Sequence, residues 1–167
     1  VEELAHQIHY LHGLPDLEHG TTVNVGVIKG GERPNIVAPH AAAEVDLRVV
    51  TRAQGEALTK KILGLKPQLS GCQVKVSGGI NRGPFEETPA GLALFEKASA
   101  IAKSLGFTVE KFSSGGGSDG NLVAALGVPT LDGLGSLGGG AHALTEHVIV
   151  DSLPLRAALL AQLIMQL

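Results

Sequence analysis

The spacing of apolar residues in the first half of the chain predicts helices alternating with strands. Residues 1–12 repeat apolar side chains three and four positions apart, which is the pattern of one helix face. Residues 22–28 and 43–49 instead alternate apolar and polar side chains, which predicts two strands that are each buried on one face. The apolar face of the first predicted strand carries Val23, Val25 and Val27. One-sided alternation of this kind predicts an antiparallel sheet.

A second helix and a third strand extend this pattern. Thr51 followed three residues later by Gln54 is a capping-box pattern, and the helix that it opens is predicted to stop before Pro67. Residues 73–77 are predicted to form the third strand. One further strand ahead of Val1 would give the βαββαβ order of a ferredoxin-like sandwich, so we expect a module that lacks its first strand.

The second half of the chain alternates helical stripes with short apolar runs. The predicted N-caps of its three helices are Thr88, Ser118 or Asp119, and Asp151. Residues 107–112 and 128–131 are predicted strands, and their alternation with helices predicts an α/β layer with a parallel sheet. We therefore predict an α+β chain with two domains, residues 1–83 and residues 84–167.

The composition argues against several classes of function. A formal net charge of -3, one tyrosine and no tryptophan provide neither a basic face nor stacking platforms, so no nucleic-acid partner is expected. No apolar run reaches the roughly 18 residues of a membrane-spanning helix, so no membrane association is expected. The single cysteine, Cys72, excludes an internal disulfide framework and is consistent with a reducing compartment, which favours a cytoplasmic location.

Histidines raise the question of a metal site in two places. His6, His9 and His12 share one side of the first predicted helix, but without interleaved ligands at suitable spacing we favour solvated surface histidines. His142 follows three glycines and precedes Glu146, in a loop that can bring an imidazole to the edge of a sheet. For this residue a zinc ligand, a general base and an ordinary polar loop residue all remain open.

Two further features are candidates for binding an anionic group. The run SSGGGSDG at residues 113–120 lacks the lysine of a P-loop, which disfavours a nucleotide but leaves a carboxylate open. Asn35 lies in the loop after the first predicted strand, and Arg48 lies on the polar face of the second. Arg48 can hold a carboxylate through two hydrogen bonds, or it can form a surface ion pair with Glu44 or Asp46.

Two long segments, TTVNVGVIKGGERPNIVAPHAAAEVDLR and GGGSDGNLVAALGVPTLDGLGSLGGGAHALTEHV, together resemble one protein family. This is the zinc-dependent metallopeptidase and amidohydrolase family that includes glutamate carboxypeptidase, acetylornithine deacetylase and succinyl-diaminopimelate desuccinylase. The sequence of the two segments is most similar to that of glutamate carboxypeptidase. The resemblance covers nearly the whole chain. It implies a ferredoxin-like dimerisation, or lid, domain at residues 1–83, followed by the C-terminal α/β portion of the catalytic domain at residues 84–167.

The same resemblance implies roles for individual positions. His142 matches a metal ligand, while Asn35 and Arg48 match lid residues that reach the active site of the partner subunit in a homodimer. Arg82 matches an arginine that holds the substrate carboxylate. The backbone that receives this carboxylate matches Gly115, Gly116 and Gly117.

The implied activity is zinc-dependent hydrolysis of an amide bond next to a carboxylate-bearing residue such as glutamate, in a small peptide or acyl-amino acid. Ala143 and His147 depart from the Ser/Thr and Tyr usual beside the metal histidine, which leaves the substrate preference open. The remaining metal ligands and the catalytic glutamate of the family belong ahead of Val1, so we expect a C-terminal fragment that is inactive alone and contains no catalytic residue. The alternative function is a non-catalytic dimerisation or anion-binding module.

Overall fold

A computed structural model describes residues 1–167 and shows two units, Val1–Glu86 and Glu87–Leu167. The first unit consists of α1 (Glu2–His12), β1 (Thr22–Gly30), β2 (Ala41–Arg48) and α2 (Arg52–Leu63). The second unit consists of α3 (Pro89–Ser104), α4 (Gly120–Ala125), β3 (Gly138–Gly139), β4 (His147–Val148) and α5 (Ser152–Gln166). The predicted α+β class is confirmed, while the domain identity of each half stays a prediction. None of the five helices combines the length and apolar character needed to cross a bilayer.

The antiparallel sheet of the first unit is a long hairpin. Its ladder runs from the pair Thr22 and Arg48 at the open end to the pair Gly30 and Ala41 next to the connecting loop. The antiparallel pairing predicted from one-sided alternation is confirmed.

A β-bulge at Gly26 changes which residues of β1 share a face. The register passes from Val25 opposite Val45 to Val27 opposite Glu44, so one extra residue is inserted in β1. Val27 therefore lies on the face opposite to Val25, and its side chain is 40% exposed whereas Val23 is 7% exposed. The prediction of one common valine face is wrong for Val27, because simple alternation does not anticipate an inserted residue.

The capping box predicted at the start of α2 is formed. The Thr51 hydroxyl accepts the N–H of Gln54 at 3.3 Å, and the Gln54 side chain accepts the N–H of Thr51 at 2.9 Å. The amide of Gln54 also donates to the carbonyl of His19 at 3.1 Å, which ties the start of α2 to the segment before β1. The short-range signal in the sequence thus predicts the helix start, and Gln54 of the same capping box also supplies the attachment.

The carboxylate of Glu3 attaches α1 to the segment that follows α2. It accepts the N–H groups of Gln68 at 3.0 Å and Leu69 at 2.8 Å, and also the side-chain amide of Gln7. Gln7 is buried and donates as well to the carbonyl of Lys66 at 2.9 Å. The hydrogen bond from Gln7, followed by that from Leu69, lowers the pKa of Glu3 below its usual value.

Three predicted strands are not formed, at residues 73–77, 107–112 and 128–131. The alternation that predicted the first of them is visible as half-buried Val74 and Val76, but no neighbouring strand pairs with it. The parallel sheet predicted for the second half is also wrong, since the sheet of that unit is the two-residue antiparallel pair β3–β4. A strand requires a partner for its hydrogen bonds, and periodicity does not show whether a partner exists.

The core of the second unit lies between α3 and α5. Leu159 is fully buried in this core, whose other buried members are Ala98, Ile101, Ala102 and Leu163. Phe107, Val109 and Leu131 of the unformed strands pack against the same cluster. These segments therefore contribute apolar side chains without contributing a sheet.

Side chains that precede α3 and α4 fix where these helices start. The Thr88 hydroxyl accepts the N–H of Gly91 at 3.0 Å, as predicted for the N-cap of α3. Of the two residues predicted as the N-cap of α4, Asp119 occupies that position, while the hydroxyl of Ser118, one residue earlier, accepts the N–H of Gly120 at 3.1 Å. The Asn121 side chain in turn accepts the N–H of Ser118 at 2.9 Å.

Candidate functional site

His142 lies in the exposed loop that joins β3 and β4. It is the single non-glycine residue of the chain with a positive φ, 66°, which is an unfavourable backbone conformation for a residue with a side chain. The Glu146 carboxylate accepts the N–H of His142 at 3.3 Å, so the acidic neighbour supports the backbone of this loop. His147 is occupied by its own contact, between Nδ1 and the carbonyl oxygen of Thr145 at 3.0 Å.

Two glycines are required by the closure of this hairpin. A Cβ atom at Gly138 would lie 2.2 Å from the carbonyl oxygen of His147, and no side chain fits at that distance. Gly140 has a φ of 68°, and a Cβ there would lie 2.8 Å from the carbonyl oxygen of Thr145. The close backbone approach indicated by the glycine-rich sequence is therefore an approach of the chain to itself.

Arg156 of α5 attaches the segment that leads into β3. Its Nε donates to the carbonyl of Gly135 at 2.7 Å, and its Nη2 donates to the carbonyl of Gly133 at 2.5 Å. The side chain is nearly fully buried, with 9% of the residue exposed. One guanidinium group thus holds two carbonyls of a glycine-rich segment.

Ser152 closes the base of the hairpin from the same helix. Its hydroxyl accepts the N–H of Leu137 at 3.1 Å and donates to the carbonyl of Ile149 at 2.6 Å. The N–H of Ile149 also donates to the carbonyl of Leu137 at 2.8 Å. Ser152 therefore links the residue ahead of β3 to the residue after β4.

Neither Arg156 nor Ser152 is among the site residues predicted from the sequence. A signal for Arg156 exists, since it precedes Leu159 and Leu163 at the spacing of one helix face and so stands on the buried side of α5. A charged residue at such a position needs partners. The sequence does not show that these partners are loop carbonyls.

The glycines at residues 115–117 lie in an exposed, irregular segment ahead of α4. The N–H of Gly116 donates to the Ser114 hydroxyl at 3.3 Å. The N–H of Ser118 donates to the side chain of Asn121, and the N–H of Gly120 donates to the hydroxyl of Ser118. The N–H groups of Gly116, Ser118 and Gly120 each therefore have a side-chain partner within this segment.

Asn35 and Arg48 lie at opposite ends of the first hairpin. Asn35 lies in the loop between β1 and β2, whereas Arg48 is the last residue of β2. At ~3.4 Å per strand residue, the ladder separates the two ends by roughly 24 Å. The structure therefore does not bring these two side chains together within the hairpin.

The two arginines predicted to bind substrate are both solvent-exposed. Of the alternatives for Arg48, the surface ion pair is the one observed, with its Nε 2.9 Å from the Asp46 carboxylate. Arg82 lies in an irregular, exposed segment between α2 and the boundary of the units. Neither position is enclosed in a pocket.

The residues of this chain do not form a complete metal site. No group of three or more histidine, cysteine, aspartate or glutamate side chains is arranged to hold a metal ion, either around His142 or around His6, His9 and His12. A zinc ion requires at least three protein ligands. His142 is therefore at most one ligand of such a site, and no chemical step through a metal follows from these residues.

Comparison with known proteins identifies relatives of both units. Residues 1–65 match the peptidase dimerisation domain of the M20 type. The chain is 32% identical over 149 residues to carboxypeptidase G2 of Pseudomonas sp. (strain RS-16), and this match spans 86% of the chain and 36% of that protein. It is 28% identical over 119 residues to YqjE of Bacillus subtilis (strain 168), spanning 70% of the chain and 32% of that protein.

Two solved structures share the fold. Aminopeptidase PepT from Bacillus cereus and a tripeptidase from Staphylococcus aureus each match with a TM-score of 0.57 and 26% identity. Each match covers 86% of this chain and 39% of the other. The match to the dimerisation domain, the two relatives and the shared fold identify the chain as a homologue of the M20 peptidases.

Proposed function

We propose that this chain serves in a zinc-dependent carboxypeptidase or deacylase that hydrolyses an amide bond next to a carboxylate-bearing residue such as glutamate. The observation that carries the proposal is the match to carboxypeptidase G2, which spans 86% of the chain and therefore extends well beyond the dimerisation domain at residues 1–65. Because the chain spans 36% of that relative, the proposal concerns the activity of a longer protein. Residues 1–83 would form its dimerisation domain, and residues 84–167 the last part of its catalytic domain.

His142 is the proposed metal ligand within this chain. Its support is the exposed imidazole, the unusual positive φ and the two glycines without which the loop could not close. Zinc, when bound by such a protein, supplies a hydroxide near neutral pH and polarises a carbonyl. The other ligands would come from the rest of the longer protein, so we expect this chain alone to be inactive and to hold no zinc.

The proposed substrate contacts fall into two groups. Arg82 and the backbone of residues 115–117 would hold the substrate carboxylate, for which charged and N–H donors are suited. Asn35 and Arg48 would act on the active site of a partner subunit in a homodimer. Since the hairpin separates them by its full length, we propose that they contact different parts of that partner, and that Arg48 exchanges Asp46 for its new contact.

A non-catalytic association module is the second candidate. It is supported by the dimerisation-domain match at residues 1–65 and by the apolar side chains that β1 exposes, Val27 and Ile28. Sedimentation of the chain tests association in both cases, because both candidates predict a dimer. A strictly monomeric chain at all concentrations would contradict the homodimer.

The catalytic proposal is tested with the longer protein that carries this chain. We expect it to release glutamate from an N-acyl-glutamate or a small peptide, to lose that activity with a chelator and to regain it with zinc. The variant His142→Ala should lower zinc content and activity together, whereas His147→Ala, in the adjoining strand β4, serves as a control. Absence of any metal-dependent hydrolysis of acyl-amino acids and peptides would overturn the proposal. A cytoplasmic location belongs to the same proposal and is tested by cell fractionation.

A further inference from the structure

We propose that Arg156 and Ser152 are positioning residues for His142, which fix the orientation of its loop from α5. We call these two side chains, with their hydrogen bonds to residues 133–149, the α5 clamp. The inference rests on the proposed function in one respect, namely that the imidazole of His142 is the group whose position matters.

Arg156 has backbone carbonyls, and not acidic side chains, as its hydrogen-bond partners. Its guanidinium is buried, and both of its hydrogen bonds end on the carbonyls of Gly133 and Gly135. No carboxylate pairs with it, although the usual partner of a buried arginine is an acidic side chain. A planar fork of donors that holds two carbonyls restrains both the position and the direction of the segment between them.

The segment that Arg156 restrains, residues 133–140, cannot order itself. Residues 133–140 contain five glycines, at positions 133, 135, 138, 139 and 140. Glycine loses more conformational freedom on ordering than any other residue, so the segment needs contacts from outside. The ladder that follows contributes little, since β3 and β4 have two residues each.

A continuous series of hydrogen bonds connects the α5 clamp to His142. Ser152 joins Leu137 to Ile149, and these residues directly precede β3 and follow β4. Beyond the ladder, the Gly140 carbonyl accepts the N–H of Ala143 at 2.9 Å, which turns the chain at His142. Loss of the clamp would therefore leave the imidazole on a loop whose base is open.

The test measures amide hydrogen exchange by NMR in the chain itself, without metal or substrate. In Arg156→Met, which keeps an unbranched apolar side chain but not the donors, we expect the exchange of Gly139, His142 and Ile149 to rise about tenfold or more. The amides of Ala102 and Leu159 in the core should change by less than about threefold. The ring resonances of His142 should also shift, and Arg156→Lys should restore part of the protection through its single donor group.

A second pair of variants guards against misfolding of Arg156→Met. Ser152→Ala removes a hydroxyl that donates to the carbonyl of Ile149 and accepts the N–H of Leu137. Its matched control is Ser104→Ala, because the Ser104 hydroxyl donates to the carbonyl of Ile101 at 2.7 Å and takes no part in the loop. We expect Ser152→Ala to raise exchange at residues 138–148, and Ser104→Ala to leave it unchanged.

Two outcomes would overturn the inference. One is faster exchange spread evenly over the second unit, which indicates a purely structural role of the clamp. The other is an open loop in the chain without any change of kcat in the longer protein. Neither outcome affects the proposed function, which would instead fail by the absence of zinc-dependent hydrolysis in the unsubstituted protein.

Discussion

In the first unit a capping box and a nine-residue strand hold the backbone, whereas in the second unit two residues per strand and two side chains of α5 hold the loop of His142. The contacts of the capping box join residues three positions apart. Those of Arg156 join residues 21 and 23 positions apart. The comparison shows that the start of α2 is specified by neighbouring residues, while the loop of the candidate site depends on contacts that are more distant in sequence.

The largest expected effect breaks the core on which α5 rests. Leu159→Ala removes a fully buried side chain and should lower the free energy of unfolding of the second unit by about 3 kcal/mol. Leu160→Ala, at a 36% exposed position of the same helix, is the control and should cost under ~1 kcal/mol. Urea unfolding followed through amide signals of α3 and α5 measures both variants.

The same experiment asks whether the two units unfold separately. Tyr10 is the only tyrosine of the chain and belongs to the first unit, so its fluorescence follows that unit. We expect the transition of Tyr10 to stay in place in Leu159→Ala. A joint shift of both signals would mean that the units unfold as one.

A second experiment tests whether the hairpin of His142 needs its glycines for space. Gly138→Ala places a methyl group against the carbonyl of His147 and should favour the open hairpin by about 2 kcal/mol. Gly135→Ala is the control, because no atom lies within 4 Å of its would-be Cβ. Exchange of the Ile149 amide, which donates to the carbonyl of Leu137 across the hairpin, measures the opening in both variants. Equal effects of the two substitutions would show that chain flexibility, and not close approach, is what these glycines provide.

A third experiment compares helix starts in the two units. Thr51→Ala removes the hydroxyl that accepts the N–H of Gln54, and with it one of the two hydrogen bonds of the capping box, and should cost about 1 kcal/mol. Asp151→Ala, ahead of α5, should cost under ~0.5 kcal/mol, since the Asp151 side chain makes no capping hydrogen bond. Chemical denaturation of the two variants measures the difference. A larger cost at Asp151 would contradict the role that the contacts assign to each cap.

The smallest expected effect is a pH dependence carried by Glu3. Its pKa is lowered in the folded chain, chiefly by the hydrogen bond from Gln7, so the stabilisation is present above the usual pKa of glutamate and is lost as the pH falls through the folded value. Glu3→Gln should therefore flatten the decline in stability of the first unit as the pH falls below the usual pKa of glutamate.

The control for this pH dependence is the comparison with the unsubstituted chain. Asp16 also has a lowered pKa, chiefly because its carboxylate accepts the N–H of His19. Its contribution to the pH dependence of stability is the same in Glu3→Gln and in the unsubstituted chain. The difference between the two pH profiles thus belongs to Glu3. Identical profiles would show that its carboxylate is not linked to folding.

Much of the fold could be predicted from short-range patterns. The start of α2 at Thr51 and that of α3 at Thr88 follow from residue types whose side chains bond their own helix. The pairing of β1 with β2 follows from one-sided alternation. The bulge at Gly26 does not, because a glycine inside an alternating run marks a possible irregularity without giving its register.

The unformed strands show the limit of periodicity. Val74 and Val76 keep the alternating burial of a strand although no partner forms a ladder with them. Burial of alternate side chains is a property of the segment, whereas pairing is a property of its neighbours. The same distinction applies to the parallel sheet predicted for the second half.

The candidate site was predictable in part. His142 and its glycines stand out in the sequence, and the structure gives two of these glycines a steric reason, at Gly138 and Gly140. The contribution of Arg156 was not predictable, since it depends on which loop the folded chain brings to a buried arginine. The predicted substrate-binding positions stay predictions.

The hairpin that separates Asn35 from Arg48 also restricts how its length can vary among related sequences. Removing one residue from each strand would turn every side chain between the deletion and the loop to the other face. Removing two from each strand would keep the faces and shorten the ladder by ~7 Å. The reach of this hairpin therefore changes in steps of ~7 Å where both faces are to be kept, and a single inserted residue has to be taken up by a bulge such as the one at Gly26.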